Sequence, residues 1–346
     1  MSKTLQDYAT LINDTIQSNE INHYITTDNM CQNLGGIDAF KNINIPQGKV
    51  RSFQKDDVLL SNIRLYFRKV YRAKQKGGCS SDVLVFRAKH IDSATLFAIL
   101  SSQIFTDYAC SGSQGSKMPR GNKTHMMDFK IPTINFTIAK IFNSIQNKIE
   151  NNHKINELLH TLAYKIYEYY FKYKPKNAKL EQIIIENPKS SIMVKNAQKT
   201  QDKYPFFTSG DNILSYPKAI IDGRNCFLNT RGNAGIKFYV GKASYSTDTW
   251  CICANEFSDY LYLLLSSIKT HINQSFFQGT SLKHLQKNLL KKYPIYMPSV
   301  HEIEKFNQII MPLLTLISIN TRISKKLEQI RDFLLPLLLK QQVKPK

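Results

Sequence analysis

The chain contains two copies of one sequence pattern, about 165 residues apart. The matching pairs are Ser81–Asp82 with Thr247–Asp248, Leu96–Ser102 with Leu261–Ser267, Gln114–Ser116 with Gln278–Thr280, and Ile131–Pro132 with Met297–Pro298. The separation drifts by only a few residues, as insertions in the loops of a duplicated domain would produce. Because solenoid repeats have far shorter periods, the pattern predicts two globular copies of one domain, each with its own version of a binding site.

The composition narrows the class of partner. The 346 residues are enough for two domains, and 42% of them are hydrophobic, which is ample for burying cores. The 47 Lys and Arg residues outnumber the 26 Asp and Glu residues, which gives a net charge of +21. This excess favours a polyanionic partner, either a nucleic acid or an anionic membrane surface. Insertion into a membrane is not expected, because no apolar run approaches the roughly 20 residues that a spanning helix needs.

The N-terminal segment and the cysteines indicate a cytoplasmic protein. Residues 1–14 lack the apolar stretch of a secretory signal. The six cysteines are scattered and none forms a C-x-x-C pair, so neither a zinc site nor a disulfide framework is expected. We therefore predict reduced thiols and a cytoplasmic location.

Each copy is expected to begin with short strands. In the first copy Asp57–Leu60 and Val83–Arg87 have the apolar character and the flanking turn residues of strands. In the second copy Cys226–Leu228 and Trp250–Cys253 do the same. Short helices should follow these strands in both copies.

A long helix is expected to end each copy. The apolar positions alternate spacings of four and three residues, the pattern of two helices packed along a seam. In the first helix these positions are Ile138, Phe142, Ile145, Ile149, Asn152, Asn156, Leu159, Ala163, Ile166 and Tyr170. In the second they are Phe306, Ile310, Leu313, Ile317, Asn320, Ser324, Leu327, Arg331, Leu334 and Leu338. The sequence thus predicts an α+β chain in which two globular α/β domains are separated by two long helices, packed as an antiparallel coiled coil with pseudo-twofold symmetry.

Two asparagines occupy the same seam position in the two helices. Asn152 and Asn320 differ by 168 residues. A polar seam residue costs stability but can fix the register and orientation of the helices, so both are candidate register residues. The alternative is that both face water where the helices diverge. Pro312 removes a backbone donor inside the second helix and is expected to bend it.

The sequence offers little for catalysis. It has no G-x-G-x-x-G or G-x-x-x-x-G-K-[ST] loop for a nucleotide and no H-E-x-x-H spacing for a metal. Glu302 and Glu304 are expected to be solvated residues at a helix N-terminus. Asp82 and Asp248 could be catalytic, but a role in capping a turn is favoured. We predict no catalytic residues and no metal site.

A nucleic-acid interface accounts for more of the sequence. Six cations lie within the thirteen residues from Arg64 to Lys76, and aromatic residues are interleaved with them. Arg, Asn, Ser and Thr hydrogen-bond base edges, whereas Lys mainly neutralises phosphate. The candidate DNA-binding residues of the first copy are Ser61, Asn62, Arg64, Tyr66, Arg68, Lys69, Arg72, Lys74, Lys117, Arg120 and Lys123. Those of the second copy are Ser209, Asn229, Arg231, Asn233, Lys237, Lys242, Thr280, Lys283 and His284. A single run of this kind is more often a solvated face, but equivalent runs in both copies favour binding.

These strings, in this order, resemble the specificity (S) subunits of type I restriction-modification enzymes over essentially the whole chain. The resemblance rests on the segments Lys55–Arg64, Gly78–Asp82, Gly115–Arg120, Phe129–Pro132, Gly279–Leu285 and Pro294–Pro298. It implies a target-recognition domain at residues 1–132, a conserved spacer helix at 133–173, a second target-recognition domain at 174–298, and a second spacer helix with a tail at 299–346.

The resemblance also implies a function and a set of partners. A subunit of this family is a non-catalytic reader of double-stranded DNA whose two domains each recognise half of a split, asymmetric sequence. Two methyltransferase (M) subunits dock on it, and restriction (R) subunits join for cleavage. S-adenosylmethionine, ATP and magnesium then serve the partners, and this chain binds no cofactor. Two other readings remain open: a self-sufficient methyltransferase-nuclease, and a stand-alone sequence-specific DNA-binding regulator or scaffold.

Overall fold

The computed structural model describes residues 3–38, 43–131, 133–197, 203–210 and 213–339. The predicted domain ends at Met1, Pro132 and Lys346 lie outside these residues. The chain divides into two compact units. Unit 1 comprises residues 1–150 and 326–346, and unit 2 comprises residues 151–325. Each unit therefore contains a sheet-rich part and a segment of both long helices.

Helices and strands alternate in the order expected of a duplicated α+β domain. The helices of the described part are α1 Leu5–Tyr8, α2 Ser93–Leu100, α3 Gln103–Ser111, α4 Lys123–Met127, α5 Phe136–Tyr167, α6 Ser258–Ser267, α7 Lys269–Ser275, α8 Lys287–Lys291 and α9 Val300–Leu338. The strands of unit 1 are β1 Ala9–Ile12, β2 Thr15–Gln17, β3 Tyr24–Ile25, β4 Lys49–Phe53, β5 Val58–Ser61, β6 Val70–Arg72, β7 Gly77–Cys79 and β8 Val83–Ala88. The strands of unit 2 are β9 Ala178–Lys179, β10 Ile185–Glu186, β11 Tyr204–Phe207, β12 Leu214–Tyr216, β13 Arg224–Asn229, β14 Ile236–Val240, β15 Ser244–Tyr245, β16 Thr249–Cys253, β17 Phe277–Gln278, β18 His284–Leu285 and β19 Pro294–Ile295.

The main sheets of the two units have the same topology. In unit 1 the strand order is β1-β8-β5-β6, and in unit 2 it is β10-β16-β13-β14. All pairs in both sheets are antiparallel. A smaller sheet in each unit contains one parallel pair, β3 with β7 in unit 1 and β11 with β15 in unit 2. This agreement confirms the internal repeat and the predicted α+β class.

The predicted strands are confirmed because their apolar runs fill the cores. Val58, Leu60, Leu84 and Phe86 of β5 and β8 are buried against α2 in the main core of unit 1. The corresponding core of unit 2 collects Cys226, Leu228, Trp250 and Ile252 with the apolar face of α6. Successive side chains along each of these strands point to opposite faces of the sheet, with a period of two residues.

The long helices pack along the predicted seam within each unit. All twenty seam positions are buried or half-buried. In unit 1 the backbone N–H of Asn135 donates to Leu338 O at 3.1 Å, and Arg331 Nη1 donates to Gln146 Oε1 at 2.9 Å. Rising residue numbers on α5 thus meet falling numbers on α9, so the two segments are antiparallel.

The seam of unit 2 contains the two candidate register asparagines. Asn152 is 1% exposed and donates through Nδ2 to Ser324 Oγ at 3.1 Å. Asn320 is 9% exposed and donates through Nδ2 to Asn156 Oδ1 at 3.1 Å. Adding 168 to the smaller residue number of one pair gives a member of the other, which is the relation that a twofold axis between the pairs produces. Both asparagines are therefore packed between the helices and do not face water. Their role in fixing the register stays a prediction.

One of the two long helices departs from regular α-helical geometry, and the other contains a proline without being interrupted. α5 ends at Tyr167 and continues as a wider π turn over Glu168–Lys172, which buries Phe171 against Phe306 and Tyr260. α9 runs without interruption through Pro312, whose ring is exposed. The missing donor at Pro312 therefore leaves the helical assignment of α9 intact.

The N-terminus of α9 is closed by a capping box, because Ser299 stands three residues before Glu302. The Glu302 carboxylate accepts from the backbone N–H of Ser299 at 2.9 Å and from the Tyr296 hydroxyl at 2.8 Å. These bonds, the one from Ser299 first, lower the pKa of Glu302 to about 2 from an ordinary value of 4.5. Glu302 thus caps the N-terminus of α9.

Glu302→Gln is expected to lower the stability of the chain at neutral pH by roughly 1 kcal/mol or less, because the side chain is 30% exposed and water partly screens its bonds. A pKa that folding depresses contributes stability above the unfolded value and loses it as the pH falls through the folded value. The difference between wild type and variant should therefore be full at pH 7 and shrink between about pH 4.5 and pH 2. Urea unfolding at a series of pH values measures it, with Glu304→Gln on the same helical turn as the control. A difference that is unchanged at pH 3 would contradict the assignment.

Candidate nucleic-acid interface

Three segments of unit 1 meet where β5 ends. The backbone N–H of Asn62 donates to Asp82 O at 2.8 Å, that of Arg64 donates to Pro119 O at 2.9 Å, and that of Gly121 donates to Asn62 O at 3.1 Å. We call residues 62–64, 80–82 and 114–120 the loop edge of unit 1. The edge is held by main-chain bonds, so its backbone does not depend on the side chains that it presents.

The same three bonds recur in unit 2. The backbone N–H of Thr230 donates to Asp248 O at 3.1 Å, that of Gly232 donates to Lys283 O at 2.9 Å, and that of Leu285 donates to Thr230 O at 3.0 Å. Residues 230–233, 246–248 and 278–284 form the loop edge of unit 2. Each position of one edge has a counterpart in the other, although most of the side chains differ.

Left-handed backbone occurs at equivalent places in both edges. Gly115 has φ +99° and Gly279 has φ +138°, and a Cβ on Gly279 would lie 2.5 Å from Leu282 O. Glycine is required there because other residues rarely adopt such angles. At the second place unit 2 has Gly232 at φ +78°, whereas unit 1 has Arg64 at φ +51°. The arginine occupies a conformation that glycine would adopt without strain.

One carboxylate at each edge pairs with an arginine. Arg120 Nη2 lies 2.8 Å from Asp82 Oδ1, and Arg231 Nε lies 3.3 Å from Asp248 Oδ1. The arginine side chains are 62% and 52% exposed. The sequence favoured a turn-capping role for both aspartates, and the structure adds a specific cationic partner for each.

Nine of the predicted DNA-binding residues are exposed at or beside the two loop edges, seven of them within the edges and two, Tyr66 and Lys123, just beyond the edge of unit 1. In unit 1 they are Tyr66, Lys117, Arg120 and Lys123, and in unit 2 they are Arg231, Asn233, Thr280, Lys283 and His284. Lys123 is the first residue of α4, directly after the edge of unit 1. Arg64 and Ser209 are half-buried beside the edges. Each set presents cations, hydrogen-bonding groups and, in unit 1, one aromatic ring on a single end of its sheet.

Other predicted DNA-binding residues form their hydrogen bonds inside the protein. The buried Ser61 hydroxyl donates to Ile63 O at 2.9 Å, and Asn229 Nδ2 donates to Ser209 O at 2.9 Å. Asn62 is also buried. Arg68 Nη2 donates to Ser101 O at 2.8 Å, and burial lowers the pKa of this guanidinium.

The ammonium groups of two lysines are similarly held by backbone carbonyls. Lys69 Nζ donates to Thr27 O, and Lys237 Nζ donates to Thr208 O at 2.8 Å and to Gly210 O at 2.7 Å. In this state these side chains support the loops behind the two edges. Contact with DNA stays a prediction for all of them.

Three predicted cations lie at the opposite end of the sheet from the loop edge of their unit. Arg72 pairs with Asp56, and Lys74 contacts Asn147 and Glu150 of α5. The hairpin register explains this, because Val58 pairs with Arg72 and Leu60 with Val70, so the chain has reversed direction by Arg72. Lys242 occupies the corresponding end in unit 2, beyond the pairing of Arg224 with Val240. The structure therefore does not bring these three together with the other candidates.

Lys287 is a further basic residue beside the loop edge of unit 2. Its Nζ lies 5.0 Å from the centre of the Trp250 ring, and burial lowers its pKa. Lys287 begins α8 as Lys123 begins α4. The repeat in the sequence pairs the two lysines, since Lys123 and Lys287 are separated by the same 164 residues as Gly115 and Gly279.

The described residues contain no cluster of metal ligands, no disulfide and no membrane-spanning helix. No group of three or more His, Cys, Asp or Glu residues there is placed to hold a metal ion. All six cysteines are free thiols, and burial raises the pKa of Cys79 to about 12, which keeps it protonated at neutral pH. None of the helices in the part of the chain that the structure describes is long and apolar enough to cross a membrane.

Comparison with known proteins places this fold in one class. Residues 176–329 match the family described as the type I restriction modification DNA specificity domain. The structure of a type I restriction-modification S subunit from M. genitalium is similar, with a TM-score of 0.64, 14% identity, and coverage of 99% of this chain and 96% of that one. Among curated proteins, none is similar enough in sequence to count as a match.

Two further solved structures share less of the geometry. The HsdS subunit from Thermoanaerobacter tengcongensis gives a TM-score of 0.37 at 12% identity, covering 99% of this chain and 97% of that chain. A chain from a study of complex assembly and conformational transition in the type I restriction-modification system gives the same two values, covering 99% and 98%.

The chain thus has the fold of the M. genitalium S subunit. More narrowly, residues 176–329 match the model of the type I restriction modification DNA specificity domain, and the predicted resemblance to S subunits is confirmed. The sequence match covers mainly unit 2, and the shared topology of the main sheets extends the assignment of the fold to unit 1.

Proposed function

We propose that this chain is the specificity subunit of a type I restriction-modification enzyme and that its two loop edges read the two halves of a split, asymmetric DNA sequence. The duplicated loop edge is the observation that carries the proposal. Both units hold the same backbone frame with the same three hydrogen bonds, yet they present different exposed side chains. Two loop edges with the same backbone but different exposed side chains can recognise two different half-sites, as an asymmetric target requires.

The charge and chemistry of the edges suit duplex DNA. The chain carries a net charge of +21, which favours a polyanion through the release of counterions. Exposed Arg120 and Arg231 are suited to base edges, whereas Lys117 and Lys283 are suited to phosphates. Such loops fix the protein on the backbone of the duplex and read bases within the grooves.

The proposed partners supply the chemistry. Two methyltransferase subunits would dock on this chain and transfer the methyl group from S-adenosylmethionine, and restriction subunits would use ATP and magnesium. The target adenine would leave the stack and enter the methyltransferase. This chain would then act without cofactor or metal and without catalysis, by choosing the site.

Exposed apolar residues on the long helices support docking of a partner. In unit 2, Ile309, Leu316 and Ile323 of α9 are 40–42% exposed and lie seven residues apart. Each directly precedes a seam residue. On α5 of the same unit, Ile155 and Leu162 hold the corresponding places and are 40% and 49% exposed. A heptad stripe beside a filled seam is the surface on which further helices pack. We call these five residues the apolar stripe of unit 2.

The tyrosines near the end of α5 divide between packing and exposure. Tyr167 is buried in the core of unit 2, so its role is internal. Tyr169 is 86% exposed and continues the spacing of Ile155 and Leu162. An exposed stripe of this kind favours a subunit of a complex over a stand-alone regulator.

The proposal is tested by reconstituting the full chain with the type I methyltransferase subunit of its source genome and sequencing the methylated adenines. A split target should appear. Arg64→Gly should keep the fold, since the left-handed place of Arg64 is filled by Gly232 in unit 2. The variant should weaken the base preference in one half-site only, by about 1–3 kcal/mol if the arginine makes a bidentate contact.

His90→Gly is the matched control for Arg64→Gly. His90 is an exposed residue with φ +61° beyond the far end of β8, away from the loop edge. It should leave the target unchanged. Methylation by the chain without its partner would contradict the division of labour, and an equal loss on every DNA sequence would identify Arg64 as a phosphate contact.

A further inference from the structure

We propose that Asp82 and Asp248 are positioning residues, each of which orients one arginine toward a guanine in its half-site, and that this arginine lies in a different segment of the loop edge in each unit. The inference rests on the proposed function and names the base that each loop edge reads. It assigns Arg120 and Arg231 the same task, although the two residues are not equivalent in the sequence repeat.

The carboxylate is the fixed element. Asp82 accepts the backbone N–H of Asn62, and Asp248 accepts that of Thr230, through the main-chain oxygen in each case. Both aspartates immediately precede the strand at the centre of their main sheet, β8 or β16. Their side chains are 28% and 29% exposed, so the two carboxylates have nearly the same environment.

The arginine is the element that differs. Ile63 faces Arg120 across an antiparallel bridge in unit 1, and Arg231 faces His284 across the corresponding bridge in unit 2. Arg120 therefore corresponds to His284, and Arg231 corresponds to Ile63. The arginine thus occupies one position of the bridge in unit 1 and the opposite position in unit 2. The ion pair with the aspartate is nevertheless present in both units.

Stability alone does not account for an ion pair at both edges. Pairs with this much exposure contribute little to folding because water screens them and ordering a long side chain costs entropy. Their larger effect is to restrict the orientation of the guanidinium. A guanidinium has five N–H donors, so one contact with a carboxylate leaves others for a ligand.

Guanine is the base that such a group fits. Its O6 and N7 atoms are both acceptors in the major groove, and an arginine contacts them with two parallel hydrogen bonds. Arg120 contacts its aspartate through Nη2, whereas Arg231 does so through Nε. The two edges thus present the guanidinium in different orientations, which suits different places in the two half-sites.

The experiment measures methylation by the reconstituted complex on a DNA library randomised at each position of both half-sites. Arg120→Ala should lower the preference for guanine at one position of the first half-site by roughly 10- to 100-fold. Asp82→Asn should lower the preference at that same position by roughly 2- to 5-fold and leave the second half-site unchanged. Arg231→Ala and Asp248→Asn should have the mirrored effects.

Two further variants make the result decisive. The double change Arg231→Ile with His284→Arg moves the arginine to the segment that carries it in unit 1, and it should restore a guanine preference at the second half-site that Arg231→Ile alone abolishes. Asp56→Asn breaks the ion pair with Arg72 at the far end of the same sheet and should leave base preferences unchanged.

Three outcomes would overturn the inference: a half-site without a G·C pair, an equal effect of Asp82→Asn at every position, or a change of bases with Asp56→Asn. A wild-type complex that selects no split target would instead refute the proposed function. The two failures are therefore distinguishable.

Discussion

Replacing Arg224 with alanine is expected to destabilise unit 2 by about 3–5 kcal/mol, because it leaves a buried carboxylate without its partner. Arg224, the first residue of β13, donates through two nitrogens to Asp259 of α6, whose side chain is 2% exposed. It also donates to Thr315 Oγ1 on α9 at 3.0 Å. Burial raises the pKa of Asp259, and Arg224 opposes that shift. Urea or thermal unfolding of the full chain measures the loss.

A double variant and an exposed pair calibrate the result. Arg224→Met with Asp259→Leu should recover most of the stability, since replacing a buried ion pair with apolar groups of similar volume is often close to neutral. Arg231→Ala, which breaks the exposed pair with Asp248, should cost less than about 1 kcal/mol. A double variant that is as unstable as Arg224→Ala would show that the packing of the arginine matters and not its charge.

The long helices could be predicted from the sequence because their pattern is local. The four-three alternation from Ile138 to Ile166 identifies the buried face without reference to any other part of the chain, and α5 follows it. The repeat then predicts the partner helix. The pairing itself was not predictable: Asn152 contacts Ser324 and not Asn320, because antiparallel packing sets the partner by the register between the helices.

The strands could be predicted for the same reason. The end of the sheet at which each basic residue lies could not. The run from Arg64 to Lys76 reads as one patch in the sequence. In the structure a hairpin divides it, so that Arg64 lies at the loop edge and Lys74 contacts α5 at the other end of the sheet. Which polar residues remain exposed depends on loop closure, and loop closure depends on contacts between residues far apart in sequence, such as Gly121 with Asn62.

The different positions of the arginine in the two units show a contact that the sequence repeat does not predict. The sequence repeat equates Asp82 with Asp248, and the structure confirms that correspondence through the shared bond to the preceding strand's end. It gives no sign that Arg120 and Arg231 contact the same carboxylate, because the two arginines stand at different positions of the repeat. Only the cross-strand bridges reveal that these positions are neighbours.

Placing a charge in the apolar stripe of unit 2 is expected to abolish the proposed complex with the methyltransferase. Leu316→Glu and Ile323→Glu should each weaken association by more than about 100-fold, because a carboxylate would be buried in an apolar interface without a partner. The fold should be retained, since both side chains are about 40% exposed and lie on the outer side of α9 next to the seam. Size-exclusion chromatography of the chain mixed with its methyltransferase, and titration by calorimetry, measure the loss.

Gln308→Glu adds the same charge at an exposed polar position of α9 and should leave association unchanged. DNA binding by the isolated chain should also be unaffected in Leu316→Glu, because the loop edge of unit 2 is built from residues 230–233, 246–248 and 278–284 and not from the helix. Normal association of both stripe variants would show that the partner binds elsewhere. A loss of DNA binding in the isolated variant would instead mean that the helix surface itself contacts the duplex. The heptad spacing of the exposed leucine and isoleucines would then not reflect docking of the methyltransferase.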